Sequence, residues 1–171
     1  ITQERFSKMN GISVEIDMAE LQQIIGQAVA QLNHPQLLFK QVGETLIKIH
    51  RDRFARQVSP DGQPWAPLSA WYQDQKSQNQ DKILTLRGHL SQTLSYNTTQ
   101  DGLEFGSNRV YAAIHQFGGT IRPKNAKALN VGGRPAKSVT IPARPWLGIG
   151  SNDERDIINT VKDHLKIALS L

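Results

Sequence analysis

Five histidines are the first residues that could do chemistry in this chain: His34, His50, His89, His115 and His164. They lie far apart, and no pair stands in an H-E-x-x-H frame or another metal-ligand spacing. His50 and Asp52 are close in sequence, yet a two-residue offset on a helix turns their side chains to different sides. His115, inside Ile114-His115-Gln116-Phe117-Gly118, reads as a buried or interface histidine satisfied by backbone; a small hydrolase built on it is the third-ranked functional reading. The carboxylates are scattered, without a pair placed for acid–base work. Gly148-Ile149-Gly150 precedes a helical pattern but lacks the third glycine and the preceding strand of a dinucleotide fingerprint. Neither a phosphate-cradling glycine loop nor a nucleophile elbow is present. There is no cysteine, so disulfides, thiolate metal sites and thiol nucleophiles are all ruled out together. These absences predict a protein that is not an enzyme, with no cofactor, no metal and no small-molecule substrate.

The strongest remaining physical signal is charge. The chain carries a formal net charge of +5 at neutral pH. No acid occurs between Glu104 and Asp153, while Arg109, Arg122, Lys124, Lys127, Arg134, Lys137 and Arg144 all fall inside that interval. A phosphate backbone rewards such a field by counterion release. The aromatic interleaving of a single-strand binder is missing from it. Two readings stand for Arg122, Lys124, Lys127, Arg134 and Lys137: contact with DNA, or contact with an acidic neighbouring protein.

The elements that position these residues follow from periodicity. With 171 residues and 38% hydrophobic content, the chain can bury a core of its own. We read residues 1–11 as an N-terminal arm and 12–171 as one α+β domain. Ile12, Val14 and Ile16 alternate as a half-buried strand. An amphipathic helix follows from Asp17, with Leu21, Ile24, Ile25, Ala28, Val29 and Leu32 on one face. A second helix is predicted from Pro35 to Gln57, with Leu38, Val42, Leu46, Ile49 and Phe54 as its stripe and Arg51, Arg53 and Arg56 as solvated complement to the helix dipole. Ser59 to Leu68 reads as a stiff turn whose Trp65 anchors it to that helix. Asp74 to Asp81 reads as a surface excursion. Ile83 to Leu94 is predicted as a short helix, capped at Thr85 and containing Gly88. Leu94–Tyr96 and Leu103–Phe105 form a β-hairpin, and Tyr111–His115 a helical turn ended by Gly118-Gly119. Thr120 to Ile141 reads as two weak strands joined by a long basic loop. Ser151 and Glu154 are predicted to box the start of a C-terminal helix bearing Ile157, Ile158, Val161, Leu165 and Ala168. No apolar run reaches the length of a membrane span, and the first residues carry no signal pattern.

Four ordered blocks add a resemblance. They are Arg53-Phe54 with Ser59-Pro60-Asp61-Gly62-Gln63-Pro64-Trp65-Ala66-Pro67-Leu68; Ile83-Leu84-Thr85-Leu86-Arg87-Gly88-His89-Leu90; Gly106-Ser107 with Tyr111-Ala112-Ala113-Ile114-His115-Gln116-Phe117-Gly118-Gly119; and Ile141-Pro142-Ala143-Arg144-Pro145-Trp146-Leu147-Gly148. In this order they resemble the phage virion morphogenesis family, the tail-completion proteins of Mu-like and related contractile-tailed phages. The resemblance implies a structural protein of the head–tail junction, assembled in the bacterial host cytoplasm and similar to neck or tail-terminator rings. Its expected partners are further copies of itself in a ring, preferably a hexamer, neighbouring neck, tail-tube or sheath proteins, and packaged DNA in the channel. Trp65, Tyr111, His115, Phe117, Arg144 and Trp146 are the interface candidates, being aromatic or arginine side chains on stiff loops. For Trp146 and Arg144 the alternative is that they seal the chain's own core.

Overall fold

A computed structural model describes the backbone of Ile12–Glu15 and of residues 35–169, with side chains over 35–167. The N-terminal arm, the helix expected from Asp17 to Leu32 and the side chain of Ala168 lie outside the described residues.

Helix α1 spans Pro35–Arg56. Proline is accepted in a first turn, where its missing N–H has no partner to lose. Leu38, Val42, Leu46 and Phe54 are buried at the expected spacing. The helix ends at Gln57, which takes a left-handed conformation with φ 59° and sends its N–H back to the Arg53 carbonyl at 2.8 Å. Against α1 lies a three-stranded antiparallel sheet in the order β1-β3-β2, formed by Ile12–Glu15, Leu103–Ser107 and Leu94–Thr98. The register pairs Tyr96 with Phe105 and Val14 with Phe105, so β3 is the central strand.

The C-terminal helix, numbered α5 in chain order, spans Ser151–Leu169 and runs antiparallel to α1. Three rungs fix that packing: Arg53 to Asp153, Thr45 to Thr160 at 3.0 Å, and Gln41 to His164 at 2.8 Å. Ile157 and Val161 are buried as expected, whereas Ile158 is exposed. The start of α5 differs from the expected box by one residue. Asp153, not Glu154, reaches back, accepting the N–H of Gly150 at 2.8 Å, and the Gly150 carbonyl accepts the Glu154 N–H. Only glycine fits there, since a Cβ at position 150 would stand 2.1 Å from the Pro60 carbonyl oxygen.

Three shorter helices fill the middle: α2 at Ala70–Gln75, α3 at His89–Gln92 and α4 at Ala112–Phe117. The helix expected over Ile83–Leu94 is therefore much shorter. Gly88 lies outside it, in the left-handed region at φ 76°, and the residues before it run as turns. Leu90 and Leu94 still reach the core, although Leu86 does not.

The stretch from Thr120 to Ile141 is also more ordered than two strands and a long loop. β4 (Gly119–Ile121) pairs with β7 (Val139–Ile141), and inside that ribbon β5 (Leu129–Val131) pairs with β6 (Arg134–Ala136). The inner turn places Gly132 and Gly133 at φ 57° and 84°, the two positive dihedrals of a tight hairpin turn. Isolated two-stranded ribbons are marginal in water. This one folds back onto α2: the Arg134 guanidinium stacks 5.4 Å from the Trp71 ring centroid, and the backbone at Gly132 lies against the same indole.

Candidate functional site

The interface candidates divide into two sets once placed in the fold. Trp146 is fully buried at the centre of the core, its indole N–H donating to the Ala112 carbonyl at 3.2 Å. Trp65 is buried beside it, edge-on to Phe54 at 5.3 Å, with its indole N–H on the Pro145 carbonyl at 2.8 Å. Arg144 is buried too, donating to the Ala66 and Pro67 carbonyls at 2.6 and 2.9 Å. Trp65 and Arg144 lock the turn after α1 to the 142–148 segment, and Trp146 ties that segment to α4 through the Ala112 carbonyl. Their contacts are within the chain, the alternative left open for Trp146 and Arg144 by their sequence.

The second set is on the surface. Tyr111 and Phe117 are 37% and 64% exposed, and with Val110 at 83% and Ile121 at 41% they present apolar area on both flanks of α4. The backbone behind them is held firmly. Gln116 accepts the N–H groups of Trp146 and Leu147, both at 2.9 Å, and donates to the Leu147 carbonyl at 2.9 Å. The Arg144 N–H donates to the His115 carbonyl at 2.7 Å. His115 itself is half-buried, its ring 6.0 Å from Tyr111, and burial followed by the nearby Arg144 charge pushes its pKa down. Its Nδ1 is buried without a partner among the described residues, so backbone does not satisfy the ring as expected.

Two buried polar groups on α1 were not anticipated. Arg53 is only 4% exposed and is no solvated face: it donates to the Trp146 and Gly148 carbonyls at 3.0 and 2.9 Å and pairs with Asp153 at 2.5 Å. Desolvation lowers its pKa and the Asp153 carboxylate opposes that, so the pair joins both long helices to the Trp146 segment. Arg51 and Arg56 do remain exposed. The signal was present, because His50 and Arg53 stand four and seven residues beyond Leu46 and so share its buried face. Beside Arg53 a polar cleft of about 360 Å³ opens between Asp52, Ser59, Asp61 and the start of α5. Two of its carboxylates are engaged, Asp153 by Arg53 and Asp52 by Arg56 at 3.2 Å.

Arg122, Lys124, Lys127, Arg134 and Lys137 are all exposed on the β4–β7 segment. Arg134 is held over Trp71, a residue the sequence reading did not single out, whereas none of the other four enters an ion pair or donates a hydrogen bond among the described residues.

An α+β chain with a sealed core, a firm apolar surface segment and a folded-back basic ribbon has the features of an assembly component. The phage virion morphogenesis family model matches residues 16–166, and the chain belongs to that family. It is 30% identical over 163 residues to the putative capsid assembly protein G of Escherichia phage Mu, covering 92% of this chain and 96% of that protein. It is also 30% identical over 162 residues to the Mu-like prophage FluMu G protein 2 of Haemophilus influenzae, covering 91% and 99%. No solved structure matches. The family is one of phage morphogenesis proteins, not a known class of enzymes.

Proposed function

We propose that this chain is a structural part of the phage head–tail junction, completing the tail and joining it to the filled head as a closed ring of identical copies. The observation that carries this reading is the exposed apolar set Val110, Tyr111, Phe117 and Ile121, on a backbone held by Gln116, in a member of a virion morphogenesis family. A ring needs two different faces that fit one another around a rotation axis. The α4–β4 segment is one face; exposed Leu37 on α1 and Ile158 on α5 supply apolar side chains on the helical side for the other. A face already rigid before association loses little entropy on binding, which favours a stable ring over a transient contact. A hexamer is the preferred order, with neighbouring neck, tail-tube or sheath proteins above and below.

The test is direct. Purified protein viewed by electron microscopy shows closed rings, and mass spectrometry of purified virions finds the chain, with antibody label at the junction. A protein that stays monomeric at high concentration and is missing from virions overturns the reading.

A further inference from the structure

Within the acid-free interval, four positive charges are left unanswered among the described residues. Residues 105–152 hold seven Lys and Arg and no Asp or Glu, while the whole chain is +5, so everything outside that interval sums to two negative charges. Three of the seven are engaged within the fold: Arg144 on the Ala66 and Pro67 carbonyls, Arg109 on Thr93 at 3.2 Å, and Arg134 over Trp71. The other four are Arg122, Lys124, Lys127 and Lys137. The strand register gathers them. Ile121 pairs with Val139 and Leu129 pairs with Ala136, so Arg122 leaves one ribbon where Lys137 enters it, and Lys124 and Lys127 lie on the stretch between. Like charges so grouped, without a carboxylate among them, oppose folding slightly and raise a strong local positive potential.

We propose that this junction of the two ribbons binds the phosphate backbone of double-stranded DNA without reading its sequence. Phosphate contacts need exposed cations on a held backbone, and the Trp71 anchor supplies the hold. A protein partner would need a buried apolar anchor, yet between Arg122 and Ser138 no large hydrophobic side chain is exposed. A second copy of the chain has only two net negative charges to offer outside the basic interval. Single-stranded nucleic acid would call for stacking aromatics, which the segment lacks. That the duplex in question is the packaged genome rests on the junction reading above; the binding itself does not.

Fluorescence anisotropy with a labelled mixed-sequence duplex tests this on the full chain. Four phosphate contacts per copy predict a slope of roughly −3.6 in log affinity against log salt, about a hundredfold weakening between about 50 and 200 mM. The variant R122Q/K124Q/K127Q/K137Q loses that binding and that slope, while circular dichroism stays that of the parent because all four side chains are exposed. Unchanged affinity in the variant overturns the proposal. So does tighter binding to single strands than to duplex, or binding to poly-glutamate alone, which would assign the cluster to an acidic protein. Absence of duplex binding from a chain found in virions defeats this inference only. Duplex binding by a chain absent from virions defeats only the junction reading.

Discussion

His50 faces inward from α1, its Nδ1–H donating to the Leu46 carbonyl at 2.8 Å and its ring 4.5 Å from Phe105. Its Nε2 is buried without a partner among the described residues, and Arg53 lies on the same helix face. A proton there would be charged, desolvated and next to a guanidinium, so burial first and Arg53 second lower its pKa from 6.5 to about 3. The folded pKa lies below the unfolded one, so the unfolded chain binds more protons between them. The stability contributed by the neutral ring is complete above pH 6.5 and falls as pH drops toward 3. At about 1.4 kcal/mol per pH unit, roughly 3 kcal/mol is lost between pH 6.5 and 4. His50→Leu keeps the volume and removes the titration, so its urea midpoint should fall less than the parent's over that range. His115 shifts in the same direction, and a smaller acid dependence therefore survives. Parallel acid losses in variant and parent would rule the assignment out.

Among the elements, the segment after α2 is organised around one buried cation. Lys76 donates from Nζ to the carbonyls of Asn79, Lys82 and Thr85, the latter two at 2.5 and 2.9 Å, so a turn-rich stretch is tied to a single point. Lys76→Met fills the space but removes the donor, leaving the Lys82 and Thr85 carbonyls unanswered while the Asn79 carbonyl keeps the Lys82 N–H. Hydrogen bonds to a charged group contribute about 1.5–3 kcal/mol, and we expect a stability loss of that order. Hydrogen exchange should speed up over 77–86 while α1 stays protected; uniform exchange across both regions would contradict the local role. The sequence hid this lysine because Asp74 to Asp81 is polar throughout, and a captured cation has the same periodicity as a solvated one. The long amphipathic helices, the β2–β3 hairpin and the turn at Ser59–Gly62 were legible, since apolar spacing and turn chemistry act locally. The shortened α3 was not, because Gly88 adopts its left-handed conformation at φ 76° only at the helix start, and glycine type alone does not place that boundary. The inner β5–β6 hairpin was missed for a related reason: its strands have three residues each and are held from outside by Trp71. For the candidate surface, residue type identified Tyr111 and Phe117 as readily as Trp65 and Trp146. Only packing separates the exposed pair from the buried one.

At the scale of the whole molecule, core and assembly face can be perturbed independently. The core runs from α1 through Phe105 and Trp146 to α5, and neither Val110 nor Phe117 belongs to it. Removing a core aromatic should cost about 3–5 kcal/mol of folding stability, whereas an exposed one contributes chiefly where a partner covers it. Val110→Asp and Phe117→Asp place a carboxylate at the two most exposed apolar positions of the α4 segment, at 83% and 64%. In the monomer each carboxylate stays in water, so thermal unfolding of the isolated chain should move little. In a ring each would be desolvated where the parent buries an apolar side chain against the next copy, a cost that shifts the equilibrium toward monomer. Sedimentation velocity should therefore show the parent as a discrete assembly and both variants mostly as monomer, with unchanged circular dichroism. Trp146→Ala is the counterpart: it should lower the melting temperature sharply and weaken assembly only through loss of folded protein. If both aspartate variants assemble like the parent, the α4–β4 segment is not the contact between copies. The ring, if formed, would then have to be built from the helical side carrying Leu37 and Ile158.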